Sequence, residues 1–165
     1  MKIVIRKWAK EDIPVLAALA NNYNVWKNLR DGLPHPYLQK DAEEWIDFTL
    51  SQEPVCNFAI EADGIAAGAI GFTQQQDIHR KNIEIGYYVG ELFWGRGIAT
   101  EAVKQMVEML ANSFDVVRIY ACVFETNPGS MRVLAKNGFQ LESVRKKGVI
   151  KNNQLLDEHF WVKIF

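Results

Sequence analysis

The chain has 165 residues, 19 Lys and Arg against 20 Asp and Glu, a net charge of −1, and 48% apolar against 24% charged residues. That balance is ordinary for a globular domain; it gives no general pull toward nucleic acid or a membrane, although it permits a local basic patch. Two cysteines (Cys56, Cys122) and three scattered histidines (His35, His79, His159) lack the spacing of a disulfide framework or metal site, so no metal is expected.

Residues 2–8, KIVIRKW, alternate as a strand. EDIPVLAALANN predicts a helix with Asp12 as N-cap and Pro14 in the first turn, where its missing N–H costs little. Residues 22–29 continue as a second short helix, and the polar, Pro-rich RDGLPHPYLQ is a loop. Asp41 and Glu43–Glu44 open a helix over 41–51 that sets Trp45, Phe48 and Thr49 on one face. From Asn57 the period falls to two, and NFAIEADGIAAGAIGFT predicts a hairpin turning at Asp63–Gly64. NIEIGYYV, 82–89, is the next strand, with Ile83, Ile85, Tyr87 and Val89 on one face and Glu84, Gly86 and Tyr88 on the other. A helix follows over 98–111, with Ile98, Ala102, Met106 and Leu110 inward. VVRIYACVF (116–124) is a strand. PGSMRVLAKNG is a helix with Pro128 near its start and Gly138 at its end. Strands at about 139–147 and 154–164 close the chain. One domain over 1–165 is expected, an α/β protein with a mixed sheet and helices on both faces. No apolar run reaches the roughly 18 residues of a membrane span. MKIVIRKWAKEDI turns charged too soon for a secretory signal, so a cytoplasmic setting is the expectation.

Between strand 82–89 and helix 98–111 lies GELFWGRG, a glycine-rich entry to a helix. The first helical N–H groups have no internal partner and the helix dipole is positive there, so the device suits a phosphate. A P-loop would need Lys and Ser or Thr where Arg96–Gly97 stands, and glycine supplies no hydroxyl for magnesium. A dinucleotide fingerprint matches Gly95 and Gly97 but meets Thr100 at its third glycine.

Trp94-Gly95-Arg96-Gly97-Ile98-Ala99 resembles the pyrophosphate loop of the GNAT N-acetyltransferases, Q/R-x-x-G-x-G/A, with Trp94 at the leading position. ATEA over 99–102 is similar to the ribosomal-protein N-terminal acetyltransferase branch of that family. NPGSMRVLAKNGF (127–139) resembles the family's Asn-x-x-Ser helix, IEIGYYV (83–89) the strand beside the thioester, PHPYLQKDAEEWI (34–46) the branch's substrate-side segment, and DEHFWVKIF (157–165) its closing strand. The matches run nearly the full length in order.

The resemblance implies the GNAT fold, with a central mixed, mostly antiparallel sheet. It also implies acetyl-CoA as co-substrate and an amine acceptor, either a peptide N-terminus or a small amine, in a monomer or homodimer. It implies coenzyme contacts at Val89, Gly95, Arg96, Gly97, Ile98, Ala99, Thr100, Asn127 and Ser130. Val89 N–H would meet the thioester oxygen, as the strand at 86–89 splays from its neighbour. Glu84 is the candidate base, or else a solvated or cross-strand-paired carboxylate, with His79 and His35 behind it. Many family members place a tyrosine after the Asn-x-x-Ser motif as general acid; none follows Tyr120 here, and Ser130 is the substitute. Trp26, Tyr37 and Trp45, with Phe48, are candidates to shape the acceptor pocket, and Asp31 and Glu84 to attract a cationic amine. Cys122 reads as core rather than nucleophile. The rival readings are acetylation of a polyamine, amino acid or antibiotic, and a catalytically silent coenzyme-binding domain.

Overall fold

The computed structural model describes residues 1–165. Its strands are β1 (Ile3–Arg6), β2 (Asn57–Ala62), β3 (Ile65–Gln74), β4 (Asn82–Val89), β5 (Arg118–Phe124), β6 (Gln140–Lys151) and β7 (Gln154–Ile164). Its helices are α1 (Ile13–Ala20), α2 (Tyr23–Trp26), α3 (Gln39–Ser51), α4 (Ile98–Ser113) and α5 (Pro128–Lys136). Their order matches the one the hydrophobic periods predict. Asp63 and Gly64, with φ of 48° and 86°, make the tight turn between β2 and β3.

One sheet runs β1-β2-β3-β4-β5-β7-β6, antiparallel throughout except for the β4–β5 pair. That parallel pair needs a crossover, which α4 supplies. Ile98, Ala102, Val103, Met106 and Leu110 of α4 and Leu134 of α5 bury one sheet face against Ile83, Ile85 and Ile119. On the opposite face Leu16 and Ala20 of α1, and Ala42 and Ile46 of α3, pack with Trp8, Tyr37 and Ala59. Helices therefore cover both faces, and alternating strand residues read different layers: Val89 belongs to the first, Tyr88 packs against the second. Gln105 clips α4 to the edge strand: it accepts from Ile5 N–H at 3.1 Å and donates to the Ile3 carbonyl at 2.9 Å.

Two local expectations are corrected. Asp12 does not cap α1, because its own backbone is already helical (φ −79°, ψ −10°). Its carboxylate instead accepts from Ala9 N–H at 2.9 Å and from Arg6 at 2.7 and 2.9 Å. Burial opposes its ionisation, yet Arg6 and the Ala9 amide together hold its carboxyl below the usual value. In α3 the inward face is Ala42, Ile46 and Thr49, whereas Trp45 and Phe48 pair at 5.5 Å on the more exposed side.

Gly68 marks a close approach of β3 to β4. A Cβ there would lie 2.2 Å from the Tyr88 carbonyl oxygen and 2.9 Å from Val89 Cα. Gly68→Ala is therefore expected to lower the unfolding free energy by about 1–3 kcal/mol in a urea titration. Gly32, whose Cβ would meet nothing within 4 Å, serves as control, with Gly32→Ala changing stability by less than about 0.5 kcal/mol.

Candidate active site

The site begins where two strands part. β4 and β5 pair only at Asn82–Arg118, Ile83–Ile119 and Glu84–Tyr120. Beyond Glu84, β4 remains paired to β3 alone. Gln75 N–H donates to the Asn82 carbonyl and Gly90 N–H to the Ala67 carbonyl, each at 2.9 Å. Antiparallel alternation therefore turns the even-numbered β4 residues toward β3; the Ile85 amide still serves the last β5 pair, and those of Tyr87 and Val89 aim into the gap. The splay expected at 86–89 is present. Trp94 closes its far end, its Nε1 donating to the Val89 carbonyl at 2.7 Å.

Glycine at 95 and 97 is required by backbone angle, since φ is +75° and +78° and a Cβ at either would point into open space. The first internal bond of α4 is Glu101 N–H to the Gly97 carbonyl, 3.1 Å. The six successive amides of Gly95, Arg96, Gly97, Ile98, Ala99 and Thr100 donate to nothing within the chain. Ile98 is buried and anchors the turn, while the Thr100 carbonyl is tied to α5 by Asn137 Nδ2 at 3.1 Å. The segment before the loop is pinned through Glu91, which accepts from Asn22 at 2.8 Å and Asn24 at 2.9 Å.

Asn127 caps α5, its side chain accepting from Ser130 N–H at 3.2 Å. Ser130 Oγ lies 2.8 Å from the Tyr87 hydroxyl, which also reaches the Ser130 carbonyl at 3.2 Å. No tyrosine follows Tyr120 in the sequence, and the hydroxyl that reaches Ser130 comes from β4 instead. Burial pushes the Tyr87 phenol up, with the Ser130 bond opposing in part, so it keeps its proton throughout the neutral range. The period-two pattern placed Tyr87 on the correct face of its strand but carried no sign of a partner 43 residues away.

On the opposite sheet face Glu84 forms an ion pair with Arg30. Tyr37 is buried in the cleft wall, its phenol pushed up to about 12 by burial and by Asp41. Trp45 and Phe48 line the cleft mouth. Trp26, expected to shape the acceptor pocket, does not line this cleft. Its ring contacts Lys151 Nζ, 3.6 Å from its centroid, and stacks with His35 at 5.1 Å, while its Nε1 donates to the Leu33 carbonyl at 3.0 Å. Asp31 is drawn the same way, pairing with Lys151 at 2.7 Å. His35 and His79 likewise lie outside the cleft. Cys122 does line it, but burial, then Glu158 and Glu84, push its thiol up to about 12, so it stays a neutral thiol. Glu158, a carboxylate that no local sequence pattern marks, is buried and lines the cleft.

The cleft through the gap measures about 1420 Å³, above the roughly 300–1,000 Å³ of a site for one small ligand. Its charges are segregated. The glycine loop and α5 contribute Arg96, Arg132 and Lys136, and no carboxylate; Asp41, Glu44, Glu84 and Glu158 line the other part, beside Lys27 and Arg30. One part suits a polyanion and the other a cation.

A family model described as an acetyltransferase (GNAT) domain matches residues 2–140. The chain is 25% identical to the L-amino acid N-acetyltransferase AaaT of Escherichia coli (strain K12), over 99% of this chain and 98% of that protein. It is 31% identical to the N-acetyltransferase p20 of Bacillus licheniformis, over 97% of this chain and 91% of that one. Among solved structures, the ribosomal L7/L12 alpha-N-protein acetyltransferase RimL in complex with coenzyme A superposes with a TM-score of 0.85, at 21% identity, covering 100% of this chain and 95% of that one.

Tyr87→Phe and Ser130→Ala each remove the same hydrogen bond and are expected to destabilise the fold by about 1 kcal/mol. A double-mutant cycle read by denaturant titration should find them non-additive, the double variant costing little more than Tyr87→Phe alone, which also removes the bond to the Ser130 carbonyl. Full additivity would show that the two hydroxyls do not interact.

Proposed function

The chain belongs to the GNAT acetyltransferase family, and on that premise we propose that it carries an acetyl group from acetyl-CoA to a peptide N-terminal amine by direct attack in a ternary complex. It is an N-acetyltransferase. The observation that carries the coenzyme assignment is the run of six unbonded amides, Gly95 to Thr100, continuous with a strand gap into which the Tyr87 and Val89 amides point. A linear ligand with phosphate at one end and amide groups along its arm fits that sequence of donors.

In this reading the loop amides, with Arg96, Arg132 and Lys136, hold the phosphates. The backbone of β4 takes the pantetheine as an added strand would be taken, and Asn127 and Ser130 flank its arm. Val89 N–H meets the thioester oxygen and strengthens its bond as negative charge develops there. The carboxylates of the acceptor part draw in an ammonium whose pKa lies near 8 for an α-amine. When the carbon–sulfur bond breaks, Ser130 Oγ–H donates to the sulfur and Tyr87 O–H stands behind it as a second donor. A thiol of ordinary pKa, about 8.5, leaves without full protonation, so this pair assists rather than decides. The exposed Trp45 and Phe48 at the cleft mouth suit the side chains that follow a peptide's first residue. Arg30 and Lys27 favour a second reading, an amino acid whose free carboxylate they would hold, which is the substrate class in the name of AaaT.

Incubation with acetyl-CoA and separate pools of N-terminal peptides, amino acids and polyamines, followed by thiol release and product mass, tests both readings. The peptide pool is expected to release thiol and gain acetyl groups; product from amino acids alone would favour the second reading. Gly97→Glu, which sets a bulky anion at a φ of +78°, is expected to abolish coenzyme A binding in calorimetry. Unchanged affinity would remove the loop from the site.

A further inference from the structure

Two carboxylates share the acceptor face of the sheet, and their positions along the strands differ. Glu84 sits at the last paired position of β4 and β5, opposite Tyr120. It lies five residues, about 16 Å of extended strand, from Val89, and is already held by Arg30. Counted four residues on from the Glu84–Tyr120 pair, Tyr88 on β4 and Phe124 on β5 are the positions that the same register would set opposite each other across the open gap. Phe124 pairs with Glu158 of β7. Glu158 is therefore level with the Val89 amide on the far side of the gap. Cross-strand partners point to the same face, so its side chain rises on the acceptor side with Tyr120 and Cys122.

The environment of Glu158 suits a proton acceptor. It is 8% exposed and lines the cleft. Arg145 Nη1 donates to its Oε2 at 3.0 Å, while Oε1 has no hydrogen-bond partner in the chain. Arg145 is fixed in turn over the Phe160 ring, 4.8 Å from the centroid. The charged and titratable groups around this corner are Arg145 from β6, Cys122 and Tyr120 from β5, Glu84 from β4 and Arg30 from the loop after α2. Cys122 stays a neutral thiol and Arg30 is committed to Glu84.

We infer that Glu158 is the general base of the reaction and that Glu84 with Arg30 orients the incoming acceptor. The assignment rests on the acetyl-transfer reading above. Oε1 of Glu158 removes one proton from the acceptor ammonium. The freed nitrogen lone pair forms the new nitrogen–carbon bond with the thioester carbonyl, and the carbon–sulfur bond breaks. The thiolate takes its proton from the Tyr87–Ser130 pair, which water reprotonates, and Glu158 returns the ammonium proton to water. The second proton on the attacking nitrogen leaves to water as the amide forms.

The test compares wild type, Glu158→Gln and Glu84→Gln in kcat/KM for the best acceptor from pH 6.5 to 9.5, with acetyl-CoA affinity measured alongside. Wild-type turnover by itself reports on the acetyl-transfer reading, and the differences between variants report on Glu158. Glu158→Gln keeps the hydrogen bond from Arg145 and is expected to bind acetyl-CoA as wild type does. It should lose on the order of 10²-fold in kcat/KM near pH 7, and that deficit should shrink toward pH 9.5, where the amine is neutral without help. Glu158→Asp, with the charge withdrawn by one methylene, should recover part of the loss. Glu84→Gln should show a loss that is uniform with pH and lies in acceptor KM. A Glu158→Gln loss below threefold at pH 7, or one independent of pH, overturns the proposal, as does the pH-dependent loss appearing in Glu84→Gln instead.

Discussion

The parting of β4 from β5 after the Glu84–Tyr120 pair is the constraint on which the rest of the molecule depends. Two parallel strands that stop pairing inside a sheet expose backbone groups that a fold ordinarily satisfies. Here the gap is held open by what flanks it. α4 starts from the end of β4 and α5 from the end of β5, and Asn137 ties the two helices together at the Thr100 carbonyl. Tyr87 reaches from β4 to Ser130 on α5 and spans the gap on one face. Trp94 folds back onto the Val89 carbonyl and finishes the strand. The unbonded amides of the gap run on into those of the glycine loop, so a single line of donors crosses the sheet.

That line also separates the groups proposed for the two proton transfers. Tyr87 and Ser130 lie on the α4–α5 side, where burial keeps the phenol protonated. Glu84 and Glu158 lie on the α1–α3 side, each with a guanidinium partner, Arg30 and Arg145. A thioester lying in the gap would have a proton donor on one face of the sheet and, in Glu158, a proton acceptor on the other. Such a division prevents acid and base from neutralising each other and lets an amine approach from the side opposite the departing sulfur. The charges lining the cleft follow the same division, cationic around the glycine loop and α5, net acidic around α3 and the strand ends.

Much of this was legible in the sequence, and the exceptions have a common cause. Strand and helix positions follow from periods of two and of three to four, which are local properties, and the NIEIGYYV strand matches β4 residue for residue. The glycine loop was legible because positive φ at Gly95 and Gly97 leaves its mark on residue choice. What escaped were side-chain partners set by tertiary packing. Trp26 looked like a pocket aromatic until Lys151, from a hairpin 125 positions later, took its ring. Asp12 looked like a cap until Arg6 took its carboxylate. Glu158 carried no local signal, because its meaning comes from standing beside Phe124 across two strands.

The most direct test of the account is amide hydrogen exchange followed residue by residue by NMR, with and without acetyl-CoA. The amides of Tyr87 and Val89 and those from Gly95 to Thr100 should gain protection on binding, as one continuous set, while the amides of β4 already paired to β3 or β5 change little. Protection confined to other parts of the chain, or absent from the β4 amides while the loop is protected, would contradict the claim that the parted strands and the glycine loop form one coenzyme track.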